Sequence, residues 1–82
     1  MKLSEWNKVL EHADNCANIL NVNGYSVRAT TYTMYDGRKG VYLQLFDDSG
    51  KFFKEYASGI RDTAYEYMLA IDNIVKRIQQ EV

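Results

Sequence analysis

His12 and Cys16 stand four residues apart, a spacing that brings an imidazole and a thiol onto one side of a helix. Such a pair is half of a nucleophile–base arrangement or half of a metal site. The chain holds one Cys and one His, so no second residue of either kind completes a zinc set. The plainer reading places Cys16 in a buried stripe as a small apolar residue, with His12 on its wet edge. Asp47 and Asp48 suggest a cation loop, but Ser58 stands where the bidentate acid of a calcium loop belongs, and turn chemistry accounts for both aspartates. Phosphate-binding glycine loops, nucleophile elbows and metalloprotease motifs are not found. Asp62, Glu66 and Asp72 read as the solvated side of a final helix. The expectation is a protein that is not an enzyme, with no catalytic residue, metal or cofactor.

Two other sets of residues carry binding chemistry. Arg38, Lys39, Lys51 and Lys54 are the only concentration of cations, all in or beside turns, where they are solvated charges or phosphate contacts. The middle of the chain is also dense in Tyr and Phe, the side chains that anchor protein interfaces and stack on unpaired bases.

These residues need elements to position them. Trp6, Val9, Leu10, Ala13, Cys16, Ala17 and Leu20 recur at three- and four-residue steps, which predicts a helix over about 4–22. Ser4 is the expected N-cap, and Gly24 or Asn23 the left-handed residue that ends it. Residues 25–35, YSVRATTYTMY, favour a strand. Asp36-Gly37-Arg38-Lys39-Gly40 then makes a turn into a hairpin, with strands over about 41–47 and 51–57 around Asp47-Asp48-Ser49-Gly50. Ile60, Ala64, Tyr67, Met68, Ile71, Ile74, Val75, Ile78 and Val82 line one side of a second helix over about 60–81, capped by Ser58 or Asp62.

The order α-β-β-β-α is that of an α+β fold in two layers. A three-stranded antiparallel meander sheet packs against two helices, as a single domain over residues 1–82. Alternation puts Val27, Ala29, Val41, Leu43, Leu45 and Phe53 on one sheet face. The other carries Tyr32, Met34, Tyr42, Phe46, Phe52 and Tyr56, with Arg28, Gln44 and Lys54 among them. This register assumes a three-residue turn, Asp48-Ser49-Gly50, that sets Phe46 opposite Phe52. A four-residue turn exchanges Phe52 with Phe53. Either register leaves one charge, Glu55 or Lys54, on the covered face. If the helices straddle the sheet, the rings of the second face are simply core. If both lie on one side, more apolar surface is exposed than a soluble monomer usually shows.

Ten basic and eleven acidic residues, spread evenly, give a net charge of −1. That balance argues against a protein held to nucleic acid or an anionic membrane by bulk charge. A lone cysteine suggests a reducing, cytoplasmic setting. The opening residues run into an amphipathic pattern rather than an apolar signal core, and no apolar run approaches the ~20 residues of a membrane span.

The α-β-β-β-α order resembles the layout of double-stranded RNA-binding domains, where a lysine-rich start to the last helix contacts phosphates. Here that start, Gly59-Ile60-Arg61-Asp62-Thr63-Ala64-Tyr65-Glu66, holds one cation beside acids, so no binding residue carries over. Residues 37–71 are similar to the three-stranded arm-binding domains of phage-type integrases in the Asp47-to-Lys51 turn and the helix that follows, but lack a basic strand face. In size, adhesive face and want of a catalytic site, the chain resembles small phage and mobile-element proteins that inactivate a host defence protein, anti-CRISPR inhibitors among them. Together these readings imply a protein-binding module that works by surface occupation. Its expected contacts are Arg28, Tyr32, Met34, Tyr42, Phe46, Phe52, Lys54 and Tyr56, and its partner another protein or a second copy in a homodimer. The alternative is a nucleic-acid binder that uses the same rings, with Arg38, Lys39, Lys51 and Lys54 on phosphates.

Overall fold

Helical and strand periods translate directly into elements in the computed structural model, which describes residues 1–81. Val82, the last residue of the second apolar stripe, lies outside the described residues. The chain forms α1 (Leu3–Val22), β1 (Val27–Thr33), β2 (Lys39–Phe46), β3 (Phe52–Ala57) and α2 (Ala64–Glu81). The strands make one antiparallel sheet in the order β1-β2-β3. This is the two-layer α+β meander that the patterning predicts.

Both helices lie on the same side of the sheet. α1 packs on β1 and β2, α2 packs on β2, and the helices pack on each other. The core is built from Trp6, Val9, Ala13, Ala17 and Leu20 of α1, Val27, Val41, Leu43, Leu45 and Tyr56 of the sheet, and Tyr67, Ile71, Ile74 and Ile78 of α2. Trp6, near the start of α1, and Tyr67, near the start of α2, meet edge to face, centroids 5.4 Å apart.

The helix ends differ in part from the expected caps. Lys2, not Ser4, is the residue before α1; its amide donates to the Glu5 carboxylate (3.2 Å), and Ser4 falls inside the first turn. At the far end Gly24 takes a φ of +96°, and Tyr25 N–H returns to the Leu20 carbonyl while Gly24 N–H reaches that of Asn21. This is the Schellman closure, which satisfies carbonyls that a helix end leaves open. The Asn21 side chain then grips Val27 twice, accepting from its N–H (2.7 Å) and donating to its carbonyl (3.0 Å). The end of α1 is thereby tied to the first residue of β1. α2 starts at Ala64 rather than 60, because Thr63 is its cap: the Thr63 hydroxyl accepts from Glu66 N–H and donates to the Glu66 carboxylate. Ser58, one of the two expected caps, is instead fully buried. Its hydroxyl accepts from Val41 N–H (3.0 Å), and its amide donates to the Val41 carbonyl (2.8 Å).

The two hairpins use one design. Met34 and Asp47 each close a three-residue loop by donating to Arg38 (2.7 Å) and Lys51 (2.9 Å), and each accepts from the loop's glycine N–H at 2.9 Å. Gly37 and Gly50 supply the left-handed residue that such loops require, with φ of +88° and +83°. The first turn is thus Tyr35-Asp36-Gly37 rather than residues 36–40, and Gly40 belongs to β2.

The second hairpin departs from both expected registers after one pair. Phe46 faces Phe52, as the three-residue turn requires, but Leu45 faces Lys54. Phe53 is the extra residue of a bulge, which reverses the facing of everything after it. Tyr56, expected among the open rings, lies on the covered face at 3% exposure, opposite Leu43. Lys54 goes with it, and Phe53, expected in the core, is 60% exposed. The charge on the covered side is therefore Lys54, whose long stem reaches the edge to pair with Glu81 (2.9 Å). Lys54 and Arg77 close over the Tyr56 ring at 5.1 and 5.0 Å.

Candidate functional site

The face turned away from the helices is ordered by the strand register into rows. Phe46 pairs with Phe52 at one end; Arg28, Gln44 and Glu55 follow; then Thr30, Tyr42 and Ala57; then Tyr32 opposite Gly40. Two aromatic clusters result. Tyr32 and Tyr42 lie 4.4 Å apart between ring centroids, and Phe46 and Phe52 meet edge to face at 6.0 Å. The Arg28 guanidinium sits 5.6 Å from the Phe46 centroid, a cation–π distance. Between the clusters the Gln44 amide donates to the Glu55 carboxylate (3.2 Å). With strand rise near 3.4 Å per residue, Tyr42 and Phe46 are about 14 Å apart along β2.

Of the expected contact residues, the structure gathers Arg28, Tyr32, Tyr42, Phe46 and Phe52 on this face. Tyr32 and Tyr42 are half-buried against each other, Phe46 is half-buried beside Phe52, and Phe52 is 51% exposed. Met34 is exposed in the first turn beside a fully exposed Tyr35, so it extends the rim. Lys54 and Tyr56 do not belong to it. The Tyr56 phenol is pushed up from its ordinary pKa, first by burial and then by the Glu81 carboxylate. Lys54 is raised and Glu81 lowered chiefly by their mutual hydrogen bond.

The four cations of the nucleic-acid reading are not brought together. Arg38 and Lys39 lie at the start of β2, Lys51 beyond its other end, and Lys54 on the covered side with Glu81. Arg38 is itself engaged by Asp36, Nε to Oδ2 at 2.6 Å. The Arg38 N–H above all, and then that side-chain contact, hold the Asp36 carboxyl below its usual range. A cleft of about 560 Å³ does collect Arg38 and Lys39 with Arg61 and Asp62 over Trp6 and Tyr67. Tertiary packing, not sequence proximity, brings Arg61 to that turn, and the Tyr67 hydroxyl of α2 bonds the Lys39 carbonyl beside it.

His12 and Cys16 acquire a third neighbour that spacing within one helix cannot reveal. Asp72 of α2 places Oδ1 2.7 Å from His12 Nε2, and Cys16 Sγ is 3.7 Å from the same nitrogen. In a nucleophilic triad the acid and the nucleophile occupy opposite ring nitrogens. Here both use Nε2, which has one proton or one lone pair to offer. The Cys16 thiol is also pushed up, first by burial and then by the Asp72 charge, the reverse of nucleophile activation. The arrangement suits an ion pair between helices or a bound cation.

Among the described residues no helix is long and apolar enough to cross a membrane. The fold and the open face define a two-layer α+β domain with one uncovered aromatic sheet surface. Comparison with protein-family models finds no match, and searches of curated proteins and of solved structures find none either.

Proposed function

We propose that the chain is a non-enzymatic protein-binding module whose contact surface is the open sheet face. Both helices lie on one side of the sheet, and that single observation carries the reading. Tyr32, Tyr42, Phe46 and Phe52 are left outside the core, in the residue types that dominate binding hot spots. Arg28 flanks them, and the Gln44–Glu55 row supplies polar contacts between the clusters. Binding acts by occupation: a partner's apolar patch covers both clusters and its own surface is blocked. An inhibitor of a host defence protein, of the kind phages and mobile elements carry, is the form that suits a domain of this size.

Affinity capture from a host extract with the parent chain, followed by reconstitution with the purified captured protein, tests the reading. Tyr42→Ala and Phe46→Ala should each weaken the reconstituted complex by about thirtyfold or more, the scale of a hot-spot residue. Their circular dichroism should match that of the parent. Equal affinity of parent and variants sinks the proposal. A steep loss of binding with salt, or binding to single-stranded nucleic acid instead, supports the nucleic-acid alternative.

A second reading, self-association through the same face, rests on the middle row. Arg28, Gln44 and Glu55 run positive, neutral, negative across the sheet. A two-fold axis along β2 sets Arg28 of one copy over Glu55 of the other, a self-complementary arrangement. Sedimentation velocity of the parent against Arg28→Glu decides it. A dimer that the charge reversal dissociates supports the reading, and a monomer at all concentrations removes it.

A further inference from the structure

We infer that His12, Cys16 and Asp72 form a binding site for a borderline-soft divalent cation of the zinc class, bridging α1 and α2. The three donor atoms, Nε2, Sγ and Oδ1, all lie within 4.8 Å of one another. They come from two helices, so the convergence is set by helix packing as well as by the four-residue step in α1. Zinc bonds of about 2.0–2.3 Å at a tetrahedral angle put sulfur and nitrogen ligands about 3.6 Å apart, and nitrogen and oxygen ligands about 3.3 Å apart. The sulfur–nitrogen separation is 3.7 Å and the nitrogen–oxygen separation 2.7 Å. The first already matches. The second needs the exposed Asp72 carboxylate to withdraw by roughly 0.6 Å to reach the tetrahedral spacing, a small side-chain rotation.

The bonding of the ring nitrogen favours the same conclusion. One proton on Nε2 serves Asp72 or Cys16, never both, whereas an ion at their centre uses a lone pair from all three. Imidazole nitrogen, thiolate sulfur and carboxylate oxygen are the donor types that zinc takes, and three protein ligands leave a fourth position for water or a partner's side chain. The thiol must give up its proton on binding, so one proton is released for each ion bound through sulfur. All three side chains are at least partly exposed, which provides a path of entry.

The probe is cobalt(II) added to the reduced, tag-free chain. The expected result is saturation at one ion per chain, with a near-ultraviolet thiolate-to-cobalt band and visible bands of tetrahedral intensity, all abolished by added zinc. Cys16→Ser should lose the thiolate band. Asp72→Asn should weaken binding by at least about tenfold, the loss that even an outer-shell change causes. Zinc should raise the thermal midpoint of the parent and leave that of Cys16→Ser where it was. Cobalt spectra without a thiolate band, or affinities that neither substitution alters, overturn the assignment and leave an interhelical ion pair. None of these readouts depends on the sheet face.

Discussion

The ring of Tyr32 lies across Gly40, its partner on the neighbouring strand, so closely that a Cβ on Gly40 would clash with the ring's Cζ. Gly40 has no positive φ to accommodate; its lack of a side chain makes room for the ring, an aromatic covering a glycine across strands. The same ring stacks on Tyr42. Gly40→Ala should therefore push aside the end of the half-exposed Tyr32 side chain and cost about 1 kcal/mol, roughly the worth of the Tyr32–Tyr42 pair it disturbs. Urea unfolding should show Gly40→Ala with Tyr32→Ala costing less than the sum of the two single changes. Strict additivity would mean that the contact does not matter.

Open-face and core residues of β2 alternate, which gives an internal control. Leu43, fully buried, should cost about 2–5 kcal/mol as Leu43→Ala. Tyr42→Ala, one position away on the open side, forfeits the Tyr32 pair, about 0.5–1.5 kcal/mol beyond area burial, and should leave the chain folded. Equal losses for the two in chemical denaturation would place Tyr42 in the core.

Phe53 is the extra residue of the bulge, and its neighbours keep their partners without it. Deleting Phe53 joins the Phe46–Phe52 pair directly to the Leu45–Lys54 pair, and Tyr56 stays opposite Leu43. Stability should stay within about 1 kcal/mol of the parent, the span of strand preferences. Inserting an alanine between Glu55 and Tyr56 instead adds a residue that the ladder does not pair, turns Tyr56 out of the core and should destabilise the hairpin strongly. Thermal melts of both variants check this.

Ser58 and Asp62 separate in the same way. Ser58→Ala strands the buried Val41 N–H and should cost about 1–3 kcal/mol. Thr63→Ala removes the cap of α2 and should cost about 1 kcal/mol. Asp62→Ala should be nearly silent in guanidinium unfolding.

Acid should weaken the fold through its turns. Asp47 accepts from the Ser49 hydroxyl (2.7 Å), Lys51 N–H (2.9 Å) and Ser49 N–H (3.0 Å), which hold its carboxyl below the usual range, the Ser49 hydroxyl most of all. A carboxyl lowered in the folded state stabilises above its unfolded pKa of about 3.9, and that contribution is lost as pH falls through the folded value. Melting temperature should therefore drop as pH falls below about 4, and Asp47→Ala should flatten that limb. An unchanged acid limb in the variant would show that the turn carboxylate has no part in it.

Local periodicity was enough to place both helices, all three strands and the covered set Val27, Val41, Leu43 and Leu45, because those residues repeat at the step of the element that buries them. Glycine chemistry likewise located both turns, though Gly40 looked like turn and proved to be strand. What no local pattern contains is a one-residue slip. The bulge at Phe53 is settled by which charge can be tolerated beside the core, and Lys54 reaches Glu81 and Arg77's neighbourhood where Glu55 instead meets Gln44 on the open side. That choice moved Tyr56 from the expected binding face into the core. Tertiary packing also decided that both helices share a side, and it set Asp72, sixty residues from His12, against the His12–Cys16 pair. Contacts of that range depend on how two amphipathic helices rotate against one sheet, a joint optimum of buried area that neither stripe encodes alone.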